Sequence, residues 1–360
     1  MTLRFRTSRL RIHTRPWIGA CAVATALIFT NAASASVVVG SWNLKHLGWS
    51  NGKDLAAVST VASHFDLLAL QEVMDASAVT ALDRTLEKQT GENWSSMTSH
   101  TVGRGTYQEA YTYIWRDSQV DYADGAVVYL DRGDRFTREP FIARFTDRDN
   151  GQQLVLASVH ILYGDNRQDR TPEIQELARI WSWMGESFPG TPRIIAGDFN
   201  LKPSDAAWKP LREQGARPAI TEGATTLSSI NGRYANLYDN LWYDPAELEI
   251  QTSGKVAYPD ELGMTHEQAR SRVSDHAPVY MVTGAGASSL TTQVSHDESC
   301  IDLNTASAED LDQLPQVGPS RASDIIKGRP WGSIQALTAI DGLGSARVSA
   351  IAASGMVCEL

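Results

Sequence analysis

Cysteine is scarce in this chain, three among 360 residues, which excludes a disulfide-dense scaffold. A membrane-spanning run is missing too. The apolar stretch from Trp17 to Thr30 holds about 14 residues, where a span needs about 20. Its surroundings explain it: Arg4, Arg6, Arg9, Arg11 and Arg15 precede it, and Ala33-Ser34-Ala35 closes it. A basic region, an apolar region and a small-residue end, in that order, read as an export signal over residues 1–35, cleaved after Ala35. An excess of positive charge is also absent. Removing residues 1–35 takes five arginines and no acid from 32 basic and 42 acidic residues, leaving a net charge of −15. A general electrostatic hold on nucleic acid is thereby excluded, and any such binding must use a local basic patch or divalent cations. The two cysteines that remain, Cys300 and Cys358, form an even pair in an exported chain and read as one disulfide. Closing that loop would contribute about 4 kcal/mol.

What is present is ordinary globular composition, 42% hydrophobic and 21% charged, which excludes general disorder. Residues 36–283 read as one α/β unit. Val37 to Trp42, Asp66 to Leu70, Ala126 to Leu130, Phe141 to Phe145, Leu154 to Ile161 and Arg193 to Ala196 are predicted strands, with Asn150-Gly151 as a hairpin turn. Leu55, Val58, Ala62 and Phe65 keep helical spacing. Thr171-Pro172 predicts a helix start, with Ile174, Leu177, Trp181 and Met184 facing inward. Hairpins mixed with strand–helix–strand units imply a mixed sheet or a pair of sheets with helices outside. Residues 284–299, glycine-rich and then polar, form a linker. From 300 to 360 short helices broken by glycine turns read as a duplicated helix–turn–helix unit, and Ser307 with Asp310, or Thr305, is placed to cap the first helix.

The predicted strand ends carry the chemistry: Asn43, Glu72, His160, Asp198 with Asn200, Asp239 with Asn240, and Asp275 with His276. Polar groups at the same end of several strands meet on one rim once the sheets pack. Carboxylates and amides supply hard oxygen ligands for a divalent cation. A carboxylate behind each imidazole fixes its tautomer and suits proton transfer near neutral pH. Such a set fits metal-assisted attack on a phosphodiester.

Six segments carry a resemblance: Ser41-Trp-Asn43, Leu70-Gln-Glu-Val73, Ser158-Val-His160, Gly197-Asp-Phe-Asn200, Tyr238-Asp239 and Ser274-Asp-His-Ala-Pro278. Together they resemble the endonuclease/exonuclease/phosphatase superfamily and, within it, the deoxyribonuclease I branch. Gly103 to Tyr111 and Thr137 to Pro140 are similar to that branch's DNA-contacting stretches. The resemblance implies a four-layer α/β sandwich, two mixed β-sheets flanked by helices, with the site between the sheets. It implies that Glu72 holds the divalent cation, magnesium before manganese or calcium, with Asn43 and Asp275 beside it. His160 would pair with Glu109, and His276, as the base, with Asp239. Asp198 and Asn200 would hold the phosphate or a second cation. Arg104 and Tyr107 would lie in the minor groove, and Arg138 on a phosphate.

The C-terminal segment resembles the paired helix-hairpin-helix domain of bacterial competence DNA receptors, through Leu303 to Ala306, Leu314-Pro315, Val317-Gly318-Pro319 and Gly342-Leu-Gly344. Helix N-termini opened by Gly318, Gly342 and Gly344 would meet phosphates, with Arg321 and Arg347 nearby. Gln316 stands where the first hairpin glycine is expected. The expectation is an exported, monomeric, metal-dependent endodeoxyribonuclease of low sequence specificity, secreted or periplasmic, acting on DNA and free of stable membrane association. The competing readings are a lipid or small-molecule phosphodiesterase of the sphingomyelinase or inositol phosphatase kind, and a non-catalytic surface DNA receptor.

Overall fold

Strand β1 (Val37–Leu47) opens with Val37, Val38 and Val39, all buried, because its two faces meet two different apolar layers. A computed structural model describes residues 36–164, 167–228, 232–284, 290, 301–304, 306, 308–354 and 356–357. The export signal of residues 1–35 lies outside the described residues, as do Cys300, Cys358, Ser307 and Thr305. After β1 come β2 (Leu67–Val73), β3 (Trp94–Thr98), β4 (Ala110–Arg116), β5 (Val120–Val128) and β6 (Phe141–Asp147). They are followed by β7 (Gln153–His160), β8 (Arg193–Asp198), β9 (Arg217–Pro218), β10 (Asp239–Tyr243), β11 (Ile250–Lys255) and β12 (Val279–Thr283). These form two mixed six-stranded sheets, ordered β11-β12-β1-β2-β4-β3 and β5-β6-β7-β8-β10-β9.

The period of two along each strand sorts side chains between layers. Val37, Val39, Leu67, Ala69, Tyr113, Phe145, Leu156, Ile194 and Leu241 meet between the sheets. Val38, Leu68 and Leu70 face outward onto α1 (Leu55–Ala62) and α2 (Ala76–Thr90), through Val58, Val61, Leu82 and Leu86. On the other side Ile142, Val155 and Ile195 pack on Ile174, Leu177 and Trp181 of α3 (Arg167–Ser187). The layers are therefore helix, sheet, sheet, helix, as the resemblance implied. Asp54 and Asp75 cap α1 and α2 by accepting from the Ala57 and Ser77 N–H groups. Short helices α4 (Lys209–Glu213), α5 (Tyr258–Glu261) and α6 (His266–Arg272) fill the connections. Among the described residues no helix is long and apolar enough to cross a membrane.

Two element boundaries differ from the sequence reading. Helix α3 begins at Arg167, so Pro172 lies inside it rather than in its first turn. Arg170 and Glu173 hold that early turn. Arg170 donates to the Tyr163 carbonyl at 2.7 Å, and Glu173 accepts from the Thr137 and Leu162 N–H groups at 2.7 and 2.9 Å. Strand β5 runs from Val120 to Val128 because β6 pairs along that whole length, from Val120 opposite Asp147 to Val128 opposite Phe141.

The C-terminal helices are α7 (Ala308–Leu311), α8 (Pro319–Lys327) and α9 (Ser345–Ala353), with a 3-10 turn at Ile334–Ala339. Leu311, Leu314, Val317, Ile325, Leu337, Leu343, Val348 and Ile351 form their core. The duplication is visible atom by atom. Gly318 and Gly344 are the N-caps of α8 and α9. Arg321 donates to the Gln316 carbonyl at 2.8 Å, and Arg347 to the Gly342 carbonyl at 2.7 Å. Gln316 and Gly342 both take positive φ, +65° and +79°. The first repeat thus puts a glutamine in a conformation that glycine adopts without strain.

Candidate active site

Two parallel strand pairs, β1–β2 and β7–β8, deliver the site residues to the same edge of the sandwich. In the second sheet, register does the placing. His160 stands opposite Asp198 across β7–β8, and Asp239 stands opposite Asp198 across β8–β10. The close approach needs a residue without a side chain just before: a Cβ on Gly197 would lie 1.9 Å from the Val159 carbonyl oxygen. In the first sheet, register shifts between Asn43 and Leu47 and between Leu70 and Val73 turn the chain toward the cleft. Glu72 sits in the second shift at φ +57°, and Asn200 at +49°, backbone strain that clusters at functional sites.

The result is a cavity of about 580 Å³ lined by Glu72, His160, Asp198, Asn200, Asp275 and His276, among others. His160 Nδ1 lies 2.9 and 3.0 Å from the two oxygens of Glu109, a fully buried carboxylate. His276 Nδ1 lies 3.1 and 2.9 Å from the oxygens of Asp239. A carboxylate only accepts, so each Nδ1 carries its proton and each Nε2 faces the cleft. There the two Nε2 atoms stand 3.6 and 3.7 Å from the same atom, Asp198 Oδ2. The Asn43 amide donates to that oxygen at 3.1 Å and to Glu72 Oε1 at 2.8 Å. Three groups, drawn from both sheets, therefore surround one oxygen.

The electrostatics follow. Burial and the neighbouring Arg138 work against a charge on His160, but Glu109 and Asp198 outweigh them and raise its pKa above 6.5. Burial opposes charge on His276 as well, yet Asp239, Asp198 and Asp275 outweigh it and raise its pKa well above 6.5, while burial raises that of Asp239 too. Burial pushes Glu109 up, but His160 and Arg138 more than reverse this and hold it below 4.5. In both dyads the carboxylate behind the ring shifts the imidazole toward its protonated form.

Most of the sequence-predicted set converges here: His160, Glu109, His276, Asp239, Asp198, Asn200, Asn43, Glu72 and Asp275. Three placements change the expected roles. Arg138, expected on a phosphate, is only 7% exposed. It donates to the His160 and Ile161 carbonyls at 3.0 and 3.1 Å and lies 3.6 Å from Glu109. Buried behind the His160 dyad, it positions that pair rather than reaching outward. Asn43, expected as a cation ligand, turns its amide donors to the carboxylates and its oxygen to the Lys45 N–H at 2.8 Å. Asp275 pairs with Lys45 Nζ at 2.7 Å. Arg104 is exposed and held by Asp134 at 2.8 Å, while Tyr107 is half-buried beside Arg138. Gly318, Gly342, Gly344, Arg321 and Arg347 gather on the two C-terminal hairpins, where Gly342 would meet the Arg321 guanidinium at 3.3 Å if it bore a Cβ.

Sequence reasoning missed several groups that complete the site. His46 reaches Glu72 at 3.2 Å. Thr225 donates to Asp239 at 2.6 Å, and Ser274 to the Asn43 carbonyl at 2.6 Å. Gln313 and Met356, from the C-terminal domain, line the same cavity, and Asp310 pairs with Arg233 at 2.9 Å. Only the position of His46, three residues beyond Asn43, was a signal in the sequence. A divalent cation fits the donor chemistry, which is carboxylate oxygen on three sides. Among the described residues Asp198, Asp239 and His276 form one candidate cluster, their ligand atoms within 4.8 Å of one another. Asp239 already accepts from His276 and Thr225, and Glu72 from the Asn43 amide and the His46 N–H.

Fold and site define a class: a two-sheet hydrolase scaffold with twin imidazole–carboxylate dyads over one acidic centre. The chain belongs to the Endonuclease/Exonuclease/phosphatase family, whose pattern matches residues 40–276, and a helix-hairpin-helix motif matches residues 296–354. It is 44% identical to a deoxyribonuclease of Thioalkalivibrio sp. (strain K90mix) over 352 residues, 94% of this chain and 97% of that one. It is 29% identical to pig deoxyribonuclease-1-like 1 over 231 residues, 61% of this chain and 71% of the relative. In fold it is similar to a mannosyl-6-phosphatase of Bacteroides thetaiotaomicron, at a TM-score of 0.52 and 14% identity, covering 69% of this chain and 99% of that structure.

Proposed function

We propose that this chain is an exported deoxyribonuclease that hydrolyses DNA phosphodiesters endonucleolytically, with little sequence preference, in the presence of a divalent cation. The observation that carries the reading is the pair of Nε2 atoms aimed at one Asp198 oxygen, each backed by a buried carboxylate. One imidazole takes the proton of the attacking water and the other supplies one to the departing 3′ oxygen, leaving a 5′ phosphate. His276 is assigned as the base and His160 as its partner. Asn200, one of whose amide hydrogens goes to the Ile161 carbonyl at 2.9 Å, offers the other to a non-bridging oxygen, and Arg138 with Glu109 fixes the His160 ring. A cation held by Glu72, with Asp275 and Asp198 near it, supplies positive charge against that building on the phosphoryl oxygens. Magnesium is the first choice.

The 44% identical deoxyribonuclease supports DNA as the substrate. The C-terminal domain supports a second hold on it: the N-termini of α8 and α9 have glycine caps and no side-chain cap, leaving backbone N–H groups for phosphates. We assign the chain to the periplasm or the medium on the basic–apolar–small order of residues 1–35. A Cys300–Cys358 disulfide is part of this reading, supported by the bridge between their neighbours Ile301 and Val357.

The test is nicking of supercoiled plasmid by the full chain with magnesium, with chelator, and in His160→Ala and His276→Ala variants. Chelator and either substitution should abolish nicking while DNA binding persists. Activity retained in both variants would remove the acid–base assignment.

A further inference from the structure

Among the described residues four large apolar side chains are exposed: Trp49, Tyr122, Leu130 and Tyr163. Scattered singly, such residues need no explanation. Trp49 and Tyr163, each 54% exposed, are not scattered. Tyr163 lines the catalytic cavity, and Trp49 lies against His46, which lines it as well, with ring centroids 4.3 Å apart. The first follows β7 of one sheet and the second follows the Asn43 end of β1 in the other, so they stand on opposite walls.

Each ring is fixed on one side and open on the other. Trp49 packs edge-on to Tyr107 at 6.0 Å, and its backbone N–H, not the ring, donates to the His46 carbonyl at 3.2 Å. Tyr163 is backed by the buried Arg170 guanidinium, 4.3 Å from the ring centroid. A rigid aromatic face open to solvent is a stacking surface, and every nucleobase has a face to match it. The charge of the chain favours that use. At a net −15 without residues 1–35 it gains little from general phosphate attraction, and the cationic groups lining the cavity are engaged: Lys45 by Asp275, and Arg270 by the Leu227 carbonyl. Stacking requires no positive charge.

Resting on the nuclease reading above, we propose that Trp49 and Tyr163 are stacking platforms for nucleobases flanking the scissile phosphate. Bases inside a duplex already stack on one another, so the platforms serve bases that have left the helix. The enzyme should therefore accept unpaired DNA strands as well as duplex.

Single-turnover cleavage by the full chain with magnesium tests this, using one oligonucleotide free and the same strand annealed to its complement. Trp49→Ala and Tyr163→Ala should each lose about tenfold or more on the free strand, and less than about threefold on the duplex. Trp49→Phe and Tyr163→Phe keep a ring against His46 and Arg170 and should keep most of the activity on free strands. Abasic nucleotides beside the cut should slow the wild type about as much as the alanine variants, with no further loss in those variants. Equal losses on both substrates, no loss, or phenylalanine variants as weak as alanine ones would overturn the proposal. A wild type that cuts duplex alone overturns it and leaves the nuclease reading intact. One that cuts neither substrate removes both.

Discussion

Glu109→Gln is the substitution that best separates positioning from packing in this site. Glu109 is fully buried and sits in a pocket of donors. His160 Nδ1 lies at 2.9 Å, the Glu72 N–H at 3.4 Å and the Arg138 guanidinium at 3.6 Å. A carboxylate can accept from all of them. Glutamine fits the same volume but offers one acceptor oxygen, and its NH2 must then face another donor. The loss is about 2–3 kcal/mol for an unsatisfied buried pair, where removing the side chain entirely would cost about 3–5 kcal/mol by stranding Arg138. In a domain of this size that lowers Tm by roughly 4–12 °C. The catalytic effect should exceed it. Without the carboxylate, the imidazolium of His160 loses its counter-charge and its tautomer is no longer fixed, so nicking should fall about 10²- to 10⁴-fold. The assay is plasmid nicking well below the variant's Tm, with DNA affinity measured alongside. A variant that melts earlier yet nicks at the wild-type rate would refute the dyad as a catalytic unit.

Three other outcomes follow from the geometry. Gln316→Gly should relieve the left-handed backbone of the first hairpin, protect its amides from hydrogen exchange and tighten DNA binding, by up to about 1 kcal/mol; unchanged protection would show that no strain was stored there. Deleting residues 287–360 should weaken plasmid binding and flatten its salt dependence while chemistry persists, and identical salt series for the two forms would remove the gripping role. Burial lowers the Lys255 pKa from 10.5 to about 7. Between those values the unfolded chain holds a proton that the folded one has released, so stability rises with pH across the window and the full penalty applies below it. Lys255→Met should therefore gain in Tm over the wild type at pH 7, with the gain shrinking toward pH 10; parallel curves would contradict the burial argument.

Much of the site was legible in the sequence because strand ends announce themselves: a buried apolar run that stops at Glu72, His160 or Asp198 can only present that group at a rim. The family motifs supplied their companions, Glu109 and Asp239 among them. Arg138 was placed on a phosphate by the resemblance of Thr137 to Pro140 to a DNA-contacting stretch. Only packing shows it folded back onto the His160 and Ile161 carbonyls. Helix α3 was read four residues short, since Thr171-Pro172 imitates a helix start and the Arg170 and Glu173 contacts that override it come from distant chain.

The sequence by itself determined the strands and helices, the rim of acids and imidazoles, and the repeated hairpin, because each is encoded by local periodicity, by strand termination or by spaced glycines; the four layers came from the family resemblance. Tertiary structure alone decided which groups touch. Register across β7, β8 and β10 set His160 and Asp239 on either side of Asp198, and the register shifts around Asn43 and Glu72 turned the opposite wall inward. The meeting of Trp49 with His46 and Tyr107, and of Tyr163 with Arg170, was likewise a matter of packing. Contacts between segments a hundred residues apart depend on how sheets are paired and twisted, and no local window of the chain contains that information.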